Sequence, residues 1–273
     1  MAVINTNIAA TLTANALSRN DRAATQAMER LSTGLKINSA ADDAAGMAMS
    51  NTMTAQVKGL NMAVKNANDA ISMIQTADGA SIEIGDMLQR MRELGVQAVN
   101  GTLTDADRTQ LDLEYQQLIT EIGRVGDNTQ WNGTNLIDDS AGSSGTVTYQ
   151  IGDTAQTMTV DFGDLSDDGD LGLTGDITDM TNAAAAILDV DVAIVALNTQ
   201  RATYGAAINR LEHTVDNLSN VSMNTQAALS RIQDADYAAE STALAKTQII
   251  AQASTAMLAQ ANQQAQTVLA LLK

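Results

Sequence analysis

The stretch VKGLNMAVKNANDAISMIQTADGASIEIGDMLQRMRELGVQA, Val57–Ala98, decides the fold. Val57, Leu60, Val64, Ala67, Ile71 and Ile74 alternate by three and four, the spacing of a helix that holds one stripe against a partner. The stripe slips near Asp78 and resumes through Ile84, Met87, Met91, Leu94 and Ala98. This spacing predicts a helix of about 45 residues, or roughly 65 Å at 1.5 Å per residue. Such a length belongs to a bundle or coiled coil.

Working outward, Val3, Ala10, Leu17, Ala24 and Leu31 recur every seven residues, with Ala14, Met28 and Leu35 on an alternate row. They predict a first helix ending near Gly34. After Asn100-Gly101 a new helix is expected at Thr104, where Asp107 completes a capping box. Its seam is Leu111, Tyr115, Leu118, Ile122 and Val125. Val147, Tyr149 and Ile151, then Met158, Val160 and Phe162, alternate about a Gly152-Asp153 turn and predict a β-hairpin near 146–162. Asp167 to Asp179 is expected to be a surface loop. A heptad run from Ile187 through Val190, Ile194, Leu197, Arg201, Tyr204, Ile208, Leu211 and Val215 to Leu218 follows. Arg201 alone breaks it, by snorkelling or by pairing with an acid. A last helix is expected from about Leu229 to Leu272.

Composition agrees with a mainly α, elongated antiparallel bundle. Aromatics are 2% of the 273 residues. A compact core of this size usually leans on rings that each bury about 150–250 Å²; small aliphatic side chains suit thin helix–helix seams. Proline and cysteine are both absent, so helix interiors escape ring clashes and thiolate chemistry is excluded. The net charge is −17, and thirteen Asp but no Lys or Arg lie between Arg124 and Arg201. That stretch repels polyanions, so no nucleic-acid partner is expected. The N-terminus has no basic, apolar leader of the Sec type. No run approaches the roughly 18 apolar residues that span a bilayer, so membrane insertion is not expected either.

Catalytic and metal residues are not found. His213 is the single histidine, beside a helix seam where such a residue is ordinarily structural. Asp167, Asp168 and Asp170 lack the spacing and bidentate Glu of an EF-hand. No enzyme and no cofactor is expected. The last helix is more informative: after Tyr237 it carries only Glu240, Lys246 and Lys273 as charges. A solvated helix face is normally charged, so both weakly charged ends of the chain suit burial against further copies. A plain two-helix hairpin in an ordinary bundle accounts for the periodicity alone.

Longer motifs go further. RLSTGLKINSAADDAAG at 30–46 resembles the N-terminal signature of bacterial flagellins, and AQANQQAQTVLALLK at 259–273 resembles the C-terminal one. VINTN at 3–7, LQRMRELGVQAVNGT at 88–102 and SRIQDADYAAES at 230–241 resemble further flagellin segments, in order. The resemblance implies an inner core layer from residues 1–43 plus 231–273 and an outer rod from 44–230, without the added outer domains of larger members. It implies a homopolymer forming the extracellular filament that drives swimming. Val3, Leu17, Leu31, Ile250, Met257 and Leu271 would be the polymerising positions. It also implies secretion by the flagellar type III apparatus, an export chaperone on the C-terminal helix, and filament-cap and hook-associated partners. Toll-like receptor 5 is implied as a further partner, with Gln89, Arg90, Leu94, Gln97 and Glu114 in the matching positions. Arg90 could equally be a plain ion pair with Glu93 or Glu83, and Leu94 plain packing with Met87 and Met91. Ser143, Ser144, Thr146 and Thr148 are candidate O-glycosylation positions, although Ser and Thr also serve simply as turn residues. The competing identity is a flagellin-like hook–filament junction protein; a type III translocator would need a strongly hydrophobic segment.

Overall fold

The computed structural model of the chain describes residues 6–166 and 169–270, with side-chain surroundings up to residue 263. Five helices follow in order: α1 (Ile8–Thr33), α2 (Ala44–Ala98), α3 (Asp105–Asn128), α4 (Met180–Gln233) and α5 (Tyr237–Ala270). Two antiparallel pairs lie between α3 and α4, namely β1 (Gln130–Trp131) with β2 (Thr134–Asn135), and β3 (Thr146–Gln150) with β4 (Thr157–Asp161). The chain divides into two compact units, residues 1–55 with 224–273 and residues 56–223.

The first unit is built on α1 and α5. Asn7 caps α1 by accepting from the Ala10 N–H, and Gly34 ends it in the left-handed conformation at φ +73°, donating to the Arg30 carbonyl. Only glycine adopts that backbone without a Cβ penalty. Helix α1 turns a 3-4 row of Ala10, Thr13, Leu17, Asn20, Ala24, Ala27 and Leu31 out of solvent. Helix α5 does the same with Glu240, Leu244, Thr247, Ala251, Ser254, Leu258 and Ala261. Asn7 Nδ2 donates to Ala261, Asn20 Nδ2 to Thr247, and Arg30 Nη1 to Glu240, so the two helices run antiparallel.

This pairing corrects the heptad rows in detail. Ala14 and Met28 are exposed, and the second row of α1 is instead Thr13, Asn20 and Ala27. On α5, Ile250 and Met257 turn away from α1. The expected last helix from Leu229 is also two helices: α4 runs on to Gln233, and residues 234–236 break the chain. Asp236 causes the restart, since its carboxylate accepts from the Ala238 and Ala239 N–H groups as an N-cap. Meanwhile Lys36 donates to the Gln233 carbonyl and Ala235 to that of Gly34, pinning the break to the end of α1.

The second unit packs α3, α4 and the hairpin on α2. Thr104 and Asp107 form the expected capping box, which holds the Asp107 carboxyl below the usual carboxylate range, the Thr104 hydroxyl being the larger cause. Ile74, Ile84, Leu88, Met91 and Leu94 are buried along α2, each side chain contributing about 1.5–3 kcal/mol relative to exposure. Against them α4 buries Val190, Leu197, Tyr204 and Leu211, one heptad apart, and Ala186, Ala193 and Ala207. Gly95 of α2 makes room for Ile187 of α4, since a Cβ there would meet Ile187 Cγ1 at 2.9 Å. Arg201 resolves its place in the apolar run by pairing with Asp78 at 2.9 Å, where the α2 stripe slips. On α3 the buried large apolar residues are Tyr115, Ile119 and Ile122, with Leu111, Leu118 and Val125 half-buried. Burial, then Asp189 and Asp112, push the Tyr115 hydroxyl up to about 12.

The expected hairpin is present, with Val147 opposite Val160 and Tyr149 opposite Met158. Phe162 beyond it is fully buried, 5.8 Å from the Tyr204 ring, and its carbonyl accepts the Tyr204 hydroxyl at 2.6 Å. The segment expected to be a surface loop departs from that reading, because Leu171, Leu173 and Ile177 enter the core. Asp167 and Asp168 lie outside the described residues. A further departure concerns hydropathy. Among the described residues, α4 contains a window of mean hydropathy 1.7, long and apolar enough by length and composition to cross a bilayer. The helix nevertheless carries Asp189 and Asp191 and packs Val190, Ala193 and Leu197 into the core of the unit.

Candidate assembly interface

The 30–46 motif can be read residue by residue. Gly34 stops α1, and Asp42 ties the following turn by accepting from the Asn38 and Ser39 N–H groups and from Gln26 Nε2. Those bonds, the Ser39 N–H foremost, hold the Asp42 carboxyl below the usual range. Asp43 Oδ1 then accepts from the Gly46 N–H as α2 begins. A Cβ on Gly46 would lie 2.6 Å from both Asp43 Oδ2 and Ile37 Cδ1, so a side chain there would have to displace those two side-chain ends. The motif is thus a fixed turn between two helices, with no group arranged for catalysis. Among the described residues no cluster of His, Cys, Asp or Glu could hold a metal ion.

What the first unit does offer is uncovered apolar surface. Ile8 and Leu12 on α1, and Ile249, Ile250 and Met257 on α5, are exposed, Ile249 at 67% and Met257 at 60%. On α5 little charge screens this surface. Glu240 is engaged by Arg30 at 2.9 Å, which leaves Lys246 among the described residues of α5 after Tyr237. Of the positions expected to polymerise, Leu17 and Leu31 are half-buried in the α1–α5 seam, while Ile250 and Met257 face outward. Val3 and Leu271 lie outside the described residues.

In the second unit the receptor-type positions divide. Arg90 donates from Nε to Glu114 Oε1 at 2.9 Å and from Nη1 to Glu93 Oε2 at 3.0 Å; Glu83 takes no part. Gln89 and Gln97 are exposed beside them. Leu94 is 1% exposed, packed in the core. Next to this group, Arg92 bonds Asp191 at 2.6 Å, a cross-helix pair that the sequence reading missed because ninety-nine residues separate the partners. Of the glycosylation candidates, Ser143, Ser144 and Thr148 are exposed and Thr146 is half-buried.

A seam of paired terminal helices with an outward apolar face defines, among the described residues, a mainly helical protein with surface suited to packing. The comparisons make this specific. The bacterial flagellin N-terminal helical region matches residues 4–142, and the bacterial flagellin C-terminal helical region matches residues 187–272. The chain is 47% identical to a flagellin of Halalkalibacterium halodurans, over 99% of this chain and 100% of that one. It is 44% identical to a flagellin of Bacillus subtilis over 99% of each chain. Among solved structures, Bacillus cereus flagellin superposes with a TM-score of 0.51 at 36% identity, covering 60% of this chain and 94% of that chain. The chain belongs to the bacterial flagellin family. It is a structural subunit of the flagellar filament and not an enzyme.

Proposed function

We propose that the first unit polymerises into the inner layer of the filament and that the second forms the rod outside it. One observation carries this reading: a weakly charged helix pair that satisfies its own seam yet leaves Ile8, Leu12, Ile249, Ile250 and Met257 uncovered. Fully burying each such side chain contributes about 1.5–3 kcal/mol, so five of them repeated in every copy form a strong driving force for assembly. Imaging of filaments sheared from cells tests the placement. On this reading Leu17 and Leu31 act within a copy, by holding α1 on α5, and Ile250 and Met257 act between copies. A surface of this kind needs cover before assembly. That supports export by the flagellar type III apparatus with a chaperone on α5, delivery beneath a filament cap, and hook-associated proteins at the base. The match of both terminal regions favours filament subunit over hook–filament junction protein.

The exposed group Gln89, Arg90, Gln97 and Glu114 supports a second role, recognition of the monomer by Toll-like receptor 5. Arg90 and Glu114 already satisfy one another, so a receptor would have to match both charges at once. Leu94 would serve by packing α2 in place. The double variant Arg90→Ala, Glu114→Ala should keep its helical content and lose most receptor signalling. Undiminished signalling would remove this role. Ser143, Ser144 and Thr148 are accessible enough for O-linked glycans, and intact-mass measurement of filament protein decides whether any are present.

A further inference from the structure

The chain contains two Asn-Gly-Thr tripeptides, at Asn100–Thr102 and at Asn132–Thr134. Local sequence gives them the same intrinsic chemistry, and the fold then treats them differently. We infer that Asn100 is a site of spontaneous deamidation, activated by Arg108, whereas Asn132 is not.

Conversion requires the Gly101 nitrogen to lose its proton and attack Asn100 Cγ. The N–Cγ bond forms, the Cγ–Nδ2 bond breaks, and ammonia leaves carrying a proton from water. Water then adds across either carbonyl of the cyclic imide, giving aspartate or isoaspartate. No oxidant or reductant enters. Three features of the turn between α2 and α3 favour these steps. The Asn100 carbonyl, which belongs to the same peptide unit as the Gly101 N–H, accepts from Arg108 Nη2 at 3.2 Å and from the Leu103 N–H at 3.2 Å. A cation on that carbonyl favours the deprotonated amide. The cation is fixed, because Arg108 is 5% exposed and is also bonded to the Ala98 carbonyl and to Asp105, each at 2.8 Å. Thr102 donates its N–H to Asn100 Oδ1 at 3.2 Å, where negative charge develops as Cγ is attacked. Asn100 and Gly101 are both exposed, so hydroxide and water reach them.

Asn132 and Gly133 are exposed too, so water reaches both tripeptides, but Asn132 differs in the other two features. It sits in the tight turn between β1 and β2 at φ +50°, with Gly133 at φ +80°, held between the paired residues Trp131 and Thr134. Among the described residues no Arg or Lys bonds its carbonyl. Conversion at Asn100 adds a carboxylate beside Arg108, and the isoaspartate product adds a methylene to the main chain between α2 and α3. The site is therefore a slow, one-way change of charge and length in a turn of the second unit.

The test uses the intact protein at mildly alkaline pH, one portion folded and one in concentrated urea. Conversion at each tripeptide is followed by peptide mass spectrometry in ¹⁸O-labelled water. A single pKa unit on the Gly101 amide raises its reactive fraction about tenfold. In the folded protein Asn100 should therefore convert at least about tenfold faster than Asn132, and in urea the two should convert alike. A folded-state ratio near one, or in favour of Asn132, overturns the inference. Arg108→Gln should collapse the ratio. A variant of unchanged circular dichroism that keeps the full ratio overturns the part assigned to Arg108, and if the variant does not fold, the wild-type ratio decides.

Discussion

Deleting residues 231–273 is expected to give a soluble protein that keeps the second unit and forms no filaments. The deletion removes all of α5, and with it the partner that covers the half-buried row of α1. It also removes Ile249, Ile250 and Met257, three of the five uncovered apolar side chains proposed to bind neighbouring copies. Helix α1 then has no seam, and most of a helix's stability in a protein comes from packing such a face. Residues 56–223 keep their own core, so the circular dichroism of α2, α3 and α4 should survive. Ultracentrifugation and electron microscopy check the outcome, and normal filaments from this deletion would contradict the account.

The second large effect concerns the core of the other unit. Tyr204→Ala should destabilise the protein by about 3–5 kcal/mol, as large aromatic truncations in a core do. For a unit of this size that lowers the unfolding midpoint by on the order of 10 °C. Tyr204 is fully buried, stacks obliquely on Phe162, and gives its hydroxyl to the Phe162 carbonyl. It therefore joins α4 to the strand end that anchors the hairpin. Tyr204→Phe separates the two contributions. It keeps the ring and leaves one buried carbonyl without its donor, a loss of about 1–3 kcal/mol. Thermal unfolding followed by circular dichroism measures both. Equal losses for the two variants would place the whole effect in the hydrogen bond and contradict the packing argument.

Much of this architecture was legible because large aliphatic side chains mark a helix seam. Val190, Leu197, Tyr204 and Leu211 stood out in α4, as did Ile84, Met91 and Leu94 in α2, and all are buried. The second rows were harder to see. Thr13, Asn20 and Ala27 in α1, Thr247, Ala251 and Ser254 in α5, and Ala186, Ala193 and Ala207 in α4 are small or polar. Hydropathy ranks them low, although small residues are what allow two backbones to approach. Reading seams from large residues alone turned Met28 inward, whereas it is exposed. Ile250 and Met257, expected on the heptad row of the last helix, are turned away from α1 and exposed.

Other features failed for different reasons. Leu171 and Leu173 sit among Gly and Asp, so their descent into the core was masked by a loop-like composition. The β1–β2 turn had a usable signal, Asn132-Gly133 flanked by Trp131 and Thr134, that favours a two-residue hairpin. The break at 234–236 depended on two acids, Asp234 and Asp236, interrupting a run that still looked helical by period. The Arg92–Asp191 pair had no signal in one sequence, since only the packing of α2 on α4 brings the partners together.

The central claim is that the paired terminal helices are the polymerising layer. An electron cryomicroscopy map of filaments sheared from cells that make this chain tests it most directly. The account predicts this chain as the repeating component, with α1 and α5 innermost and Ile249, Ile250 and Met257 packed against neighbouring copies. A map with the helices of residues 56–223 innermost, or with those three side chains facing solvent, would contradict it.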